Sequence, residues 1–550
     1  MDKHPLVNQR GVALLLFLVV LIAIAGTFVS NLLGSKVEAV NRSKIVHDYE
    51  VLSKAKQALL SYAVNYSLPT PTGGLANMGI LPCPDLRTTS SSGAQDSPCG
   101  NLHTNSAGFL PWKTLGIDSL RDSSGECLWY VVSGDYKTGP KARMRNEDSN
   151  GLLQVQDENG LLYHGENPDD RPIALIITPG GILQGQSHLP DCQGNSNEAD
   201  YLESGGSVHH ATGASFNYTT DHADTADKIW TYVYGTASSR LDNSNFNDKM
   251  VWITKDEYWD AVKAQGDLIA ADPNSAINIL TKDIAECLTA YANHEDNIGS
   301  SPYELRRWLP SPAQVDLNDY RTNGEYTDQA GRNAGRLPRY IDDSQAAGKI
   351  DIGNADADLF SQDSSITECA FTDEQQKFWQ NWKDHFFYIV SQDYMIKSSP
   401  SFPLTFRCGA EVPSGSCITV DGINKAAVVF YADSVTSSQS RNTVPDSPSD
   451  PDEKNLRSNY LEPLNAHDYT GATNDDYHSQ NGDFSYCISV NFSETPPKTL
   501  IAEPCKCLLY PFNAAEEGDN VYSERRRHCS IITIKRRRPA HHIITLTLLT

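Results

Sequence analysis

The stretch Trp129-Tyr130-Val131-Val132-Ser133-Gly134-Asp135-Tyr136 returns as Phe387-Tyr388-Ile389-Val390-Ser391-Gln392-Asp393-Tyr394. The aromatic-led, β-branched start of this run reads as a strand. Working outward, Leu59-Leu60-Ser61-Tyr62-Ala63 recurs as Leu288-Thr289-Ala290-Tyr291-Ala292, and Leu81-Pro82-Cys83-Pro84 recurs as Leu309-Pro310-Ser311-Pro312. Leu110-Pro111-Trp112 matches Leu337-Pro338-Arg339, and Tyr201-Leu202-Glu203 matches Tyr460-Leu461-Glu462. Several matches in one order indicate an internal duplication. The offset grows from 228 (Leu81 to Leu309) to 258 (Trp129 to Phe387), which places an insertion in the second copy within Asp342 to Trp382. Each copy opens with a helix (51–63; 279–292) and continues into short strands (128–132 and 173–177; 386–390 and 426–431), the pattern of an α+β fold. Between the copies, 250–254 reads as a strand and 256–269 as a helix, with the boundary at 270–275. The Ser-, Asp- and Pro-rich segment 433–459 reads as a surface loop.

With 45 Lys+Arg against 69 Asp+Glu in 550 residues, the net charge is −24. Such a field repels phosphate backbones, so nucleic acid is not an expected partner. The terminal stretch 521–550 departs from this balance, with the basic triplets Arg525-Arg526-Arg527 and Arg536-Arg537-Arg538. It reads as an accessory, anomalous tail, with a basic recognition arm as the alternative.

At the other end, Gly11 to Gly34 carries no charge and Val12 to Val29 is almost wholly apolar. As a helix that run measures about 27 Å, close to the hydrocarbon thickness of a bilayer. Lys3, His4 and Arg10 precede it, which puts the N-terminus in the cytoplasm and the rest outside. Ala23-Ile24-Ala25 before Gly26 fits an ordinary cleaved signal peptide. Gln9-Arg10-Gly11, abutting the apolar run at Val12, resembles a type IV prepilin leader instead, a resemblance that implies a cut after Gly11. The residues that follow favour the second: Glu38 to Tyr66 contains no Gly or Pro and places Tyr49, Leu52, Ala55, Leu59, Tyr62 and Ala63 along one helical stripe.

An apolar half running into an amphipathic half, behind a short basic leader, resembles the stem of type IV pilins and type II secretion pseudopilins. The resemblance implies cleavage between Gly11 and Val12 by a prepilin peptidase. It also implies residence in the inner membrane before assembly, and packing against other pilin or pseudopilin subunits through the N-terminal helix, with Leu16, Leu52, Leu59 and Tyr62 on the packing face. Major pilins carry a glutamate at the fifth mature position, where this chain has Leu16; its loss resembles the tip pseudopilin and some minor pilins. The expected fold is therefore α+β: a long N-terminal transmembrane and amphipathic helix followed by two duplicated pilin-like heads of helix plus antiparallel sheet. The expected division is a leader (1–11), a stem helix (12–66), a first head (67–272), a second head (273–520) and the basic tail (521–550). The expected place is the bacterial inner membrane, single-pass with periplasmic heads, and after assembly the tip of a filament outside it.

Twelve cysteines in an exported chain are expected to pair. Cys83 with Cys99 and Cys408 with Cys417 flank short loops and form the best local pairs; Cys127 with Cys192 and Cys287 with Cys369 follow by elimination within each copy. Asn146, Asp148 and Asn150, followed by Gly151 and Asp157, approximate a calcium loop, with Asn for the usual first Asp and Asp for the final Glu. A solvated turn is the plainer reading of the same residues, so no cofactor is required and calcium is the one candidate. His209, His210, His222 and Asp224 offer transition-metal donors, with exposed loop residues again the plainer reading. The chain lacks Gly-x-Ser-x-Gly, His-Glu-x-x-His and phosphate-loop motifs. The reading is a non-enzymatic minor pilin or pseudopilin-like subunit that primes or caps a filament, with an adhesive or cargo-binding head. The alternatives are an exported carbohydrate-active hydrolase, whose paired carboxylates leave no local motif, and a soluble secreted binding protein with a cleaved signal.

Overall fold

The computed structural model describes residues 39–65, 80–87, 92–100, 104–138, 145–157, 160–183, 186, 198–202, 229–234, 246–297, 307–341, 357–395, 408, 417–442, 453–461, 465, 476–477, 484–491 and 499–505. They form a mixed α+β structure. Helix α1 covers 39–65, and its buried positions Val51, Leu52, Ala55, Leu59 and Ala63 repeat at helical spacing, so one stripe faces the core. That stripe covers a four-stranded antiparallel sheet of order β1-β2-β5-β7: β1 (Ser106–Phe109), β2 (Trp129–Val132), β5 (Ala174–Thr178) and β7 (Lys249–Ile253). Its other face meets a small sheet of β3 (Leu153–Gln156), β4 (Leu162–His164) and β6 (Trp230–Val233), in which β3 pairs antiparallel with β4 and parallel with β6.

After α2 (Lys255–Lys263) the plan repeats. Helix α3 (Ala276–Asn293) starts at Ser275, whose hydroxyl accepts from Asn278 N at 3.1 Å. It ends where Asn297 Nδ2 caps the Tyr291 and Ala292 carbonyls at 3.1 and 3.0 Å. It covers a sheet of order β15-β14-β12-β9-β8, antiparallel throughout: β8 (Ala334–Arg336), β9 (Phe386–Val390), β12 (Ala427–Tyr431), β14 (Phe484–Val490) and β15 (Leu500–Pro504). Behind it lies a small sheet of β10 (Ile418–Val420), β11 (Ile423–Lys425) and β13 (Asp476–Tyr477), with β10 antiparallel to β11 and parallel to β13.

The correspondence extends to single bonds. Leu81 N donates to Tyr136 O at 2.7 Å, and Leu309 N donates to Tyr394 O at 2.8 Å. The buried Ser133 hydroxyl accepts from Leu152 N at 3.1 Å, and the buried Ser391 hydroxyl accepts from Ile418 N at 2.9 Å. The second sheet differs by its fifth strand, β15, and between β8 and β9 the second repeat adds α4 (Asp373–Trp382), opened by a Thr372/Gln375 capping box. Residues 110–128, between β1 and β2, hold no helix. Both repeats feed one core, in which Trp259 meets Trp382 at 6.0 Å between ring centroids.

One position shared by the two repeats, Gly108 in the first and Gly335 in the second, admits only glycine because two backbones touch. A Cβ on Gly108 would lie 2.9 Å from the Asp85 carbonyl oxygen, and one on Gly335 would lie 1.9 Å from that of Ala313. Ala313 and Arg336 exchange backbone hydrogen bonds of 2.9 and 3.1 Å, so the strand cannot back away without breaking them. Gly335→Ala is expected to cost about 2–3 kcal/mol through overpacking, read as a lower urea midpoint at unchanged slope.

The fold differs from the sequence expectation in one large respect. Among the described residues no helix is long and apolar enough to cross a membrane, so the long N-terminal transmembrane helix and the single-pass inner-membrane placement built on it do not stand. The described α1 carries Arg42, Lys44, Asp48, Glu50, Lys54 and Lys56, and charges at that density keep a helix out of hydrocarbon. Gly11, Val12 and Leu16 lie outside the described residues, as does the tail 521–550.

Candidate functional site

The densest group of ionisable side chains among the described residues lies where the two repeats meet. The first repeat contributes the turn 145–150, in which the Asn146 side chain accepts from Asp148 N at 3.0 Å and Asn146 O accepts from Ser149 N at 3.0 Å. This folds the turn so that Asp148 enters the second repeat. The second repeat supplies Asp384 and His385 from the turn joining α4 to β9, and Arg441, Lys454 and Tyr460 from the connection after β12. None of these six is more than 4% exposed.

Lys454 Nζ bridges the two acids, donating to Asp384 Oδ2 at 2.7 Å and to Asp148 Oδ2 at 3.2 Å. Asp384 Oδ2 also accepts from Tyr460 Oη at 2.9 Å, and its Oδ1 accepts from Asn146 Nδ2 at 2.9 Å. Arg441 Nη1 lies 3.6 Å from Asp148 Oδ1, and its guanidinium sits 4.4 Å over the Tyr460 ring. His385 Nδ1 is 2.7 Å from the Ala432 carbonyl, which requires the proton on that nitrogen. Its Nε2 is 3.0 Å from Asp148 Oδ2, close enough for charge attraction but without hydrogen-bond alignment. Arg336 braces the arrangement from behind, with Nη1 on the Asp384 carbonyl at 2.6 Å and Nη2 on that of Lys454.

Burial pushes the Asp148 carboxyl up, but Lys454, Arg441 and His385 together outweigh it and hold the group well below the usual carboxylate range. Asp384 is lowered in the same way, against its own burial, chiefly by Lys454 and then His385. Burial lowers Lys454 and Arg441, yet the acids win and raise both, Lys454 through Asp384 first and Arg441 through Asp148 first. Lys383 next door has no such partner in contact: its Nζ rests on the Arg321 carbonyl and Asn323 Oδ1, both at 2.6 Å, and burial takes it down to about 7.

Asp148, Asp384 and His385 have possible ligand atoms within 4.8 Å of one another. A cation already stands between the two carboxylates, because the Lys454 ammonium touches both. The second such group, Asp393 with Cys408 and Cys417, has its sulfurs joined in a disulfide.

The four calcium-candidate residues diverge. Asn146 and Asp148 turn to the second repeat, Asn150 Oδ1 takes the Lys255 ammonium at 3.2 Å, and Asp157 Oδ1 accepts from Leu161 N at 2.8 Å within its own turn. Leu52 and Leu59 are buried in the core and Tyr62 is half-buried. The described disulfides are Cys83–Cys99, Cys287–Cys369, Cys408–Cys417 and Cys487–Cys505, and Cys127 is also disulfide-bonded. Cys192, His209, His210, His222 and Asp224 lie outside the described residues. Sequence reasoning missed Asp384, His385, Arg441 and Lys454. The last two sit in a segment whose composition reads as a surface loop, and nothing local marks them. No family model, curated protein or solved structure matches the chain.

Proposed function

We propose that the chain is a non-enzymatic structural subunit of a filament, of the minor pilin or pseudopilin kind, which primes or caps the assembly and presents its duplicated body to a surface or cargo. The observation that carries this reading is the two-part character of α1. From residue 51 onward its stripe is sunk into the first repeat. From 39 to 47 every residue but the half-buried Ile45 is exposed, Val40 and Val46 at 55% and 56%. A helical stretch with exposed valines is suited to pack against helices of neighbouring subunits.

The body suits a load-bearing part. Its disulfides belong to an oxidising compartment. The charged cluster between the repeats is closed to solvent, so it offers no approach to a substrate and serves cohesion instead. The test is the N-terminus of the mature protein, read by mass spectrometry of material from its native source. A chain beginning at Val12 is expected. One beginning at Gly26 would replace this reading with a secreted protein released from an ordinary signal peptide.

A further inference from the structure

We propose that Lys454 and Asp384 become joined by an intramolecular amide bond, formed by the folded chain itself with Asp148 as the proton acceptor. The amine and the carboxyl are already in contact at 2.7 Å, 70 residues apart in sequence and both sealed from solvent. A second carboxylate touches the same amine at 3.2 Å, so the donor has somewhere to send a proton. Each oxygen of the Asp384 carboxyl has its own donor, Asn146 Nδ2 on Oδ1 and Tyr460 Oη on Oδ2, both at 2.9 Å.

These contacts match the needs of the reaction one by one. Lys454 Nζ passes a proton through Asp148 to Asp384 Oδ2, and the free amine attacks Cγ of the protonated carboxyl. Oδ1 takes the negative charge of the tetrahedral intermediate, where the Asn146 amide is already aimed. The Cγ–Oδ2 bond then breaks, Tyr460 having oriented that oxygen. It leaves as water with two protons, one delivered through Asp148 and one from Nζ. An ammonium and a carboxylate become an amide and a water, so the step needs no oxidant, cofactor or outside reagent. Holding the reactants in contact replaces the encounter that makes such a condensation slow in solution. The Tyr320 ring, 4.7 Å from Nζ, and the Tyr460 ring at 5.8 Å close the site to the water that would reverse it.

The charge balance favours the product. Condensation removes one buried ion pair, which is costly to keep dry, and leaves Asp148 matched to Arg441 at 3.6 Å and to His385 at 3.0 Å. The proton acceptor comes from the first repeat while both bonded residues belong to the second, so the bond forms only after the repeats have docked.

Peptide mapping of the reduced full-length protein tests this. Digestion is expected to yield one branched peptide containing both Asp384 and Lys454, lighter by one water than the sum of its parts and resistant to thiol reductant. The same digest of Lys454→Arg should give the two peptides separately, and folded Asp148→Asn, confirmed by circular dichroism, should also give them separately with the water retained. Recovery of both peptides at full mass from the unmutated protein overturns the proposal, whatever the variants do. A fully crosslinked Asp148→Asn protein overturns the role given to Asp148.

Discussion

Arg441→Met is expected to destabilise the protein by about 3–5 kcal/mol, because it strips a buried carboxylate of a charge partner without returning that carboxylate to water. Arg441 faces Asp148 at 3.6 Å and also ties the backbone, its Nε donating to the Asn459 carbonyl at 2.6 Å. Asp148→Asn in the same background should recover part of the loss, since the orphaned charge is then gone, and the shortfall from additivity measures the pair. The effect is independent of any bond at Lys454. A pH dependence follows from the same acid. The folded Asp148 carboxyl lies well below its unfolded value of about 4, so its contribution is complete above that value and is lost as pH falls through the depressed folded one. Urea midpoints should therefore fall on acidification of the parent protein and fall less in Asp148→Asn.

The second large effect belongs to the Cys287–Cys369 disulfide. It closes a sequence separation of 82 and ties α3 to the insertion that carries α4, whereas Cys408–Cys417 closes a separation of only 9. On the chain-entropy account, replacing both cysteines of the long loop with alanine costs about 4–5 kcal/mol, and of the short one about 2–3 kcal/mol. Equilibrium unfolding of the two double variants should keep that order. A larger loss from the short loop would mean that local strain relief, and not the unfolded state, governs these bonds.

The repeated strand was legible in the sequence because its signal is local. A buried strand must be apolar on both faces, and Trp129–Val132 and Phe386–Val390 are buried at every position. Cysteines separated by a short Ser- and Gly-rich loop, as Cys83 and Cys99 are, announce themselves the same way. The site between the repeats was not legible, because Asp148 and Lys454 are 306 residues apart and no spacing rule links them. Composition also misled. The segment 433–459 is polar enough to read as a surface loop, yet Arg441 and Lys454 are buried there because the acids that compensate them arrive from elsewhere. The apolar run at the N-terminus carried the strongest single signal for a membrane helix, but the described helix that follows it is a charged one lying on a sheet.

The duplication has also lost its equivalence at one slot. In the first repeat Phe109 packs against Trp129 and Tyr201 at 4.9 and 5.2 Å. In the second, Arg336 fills the same place, 5.0 Å from each of the Phe387 and Tyr460 rings.

The crossing of Asp148 into the second repeat gives the molecule a sense of direction. A perfect duplicate could dock like with like, first half on first half or second on second, and so associate indiscriminately with its own copies. Two second halves facing each other would set Lys454 and Arg441 against Lys454 and Arg441 with Asp148 missing from both sides, a confrontation of buried cations. Only the mixed pairing is neutral. The acid thus works as a key that tells the two halves apart, and a protein built from a repeated unit behaves as one polar object with a front and a back.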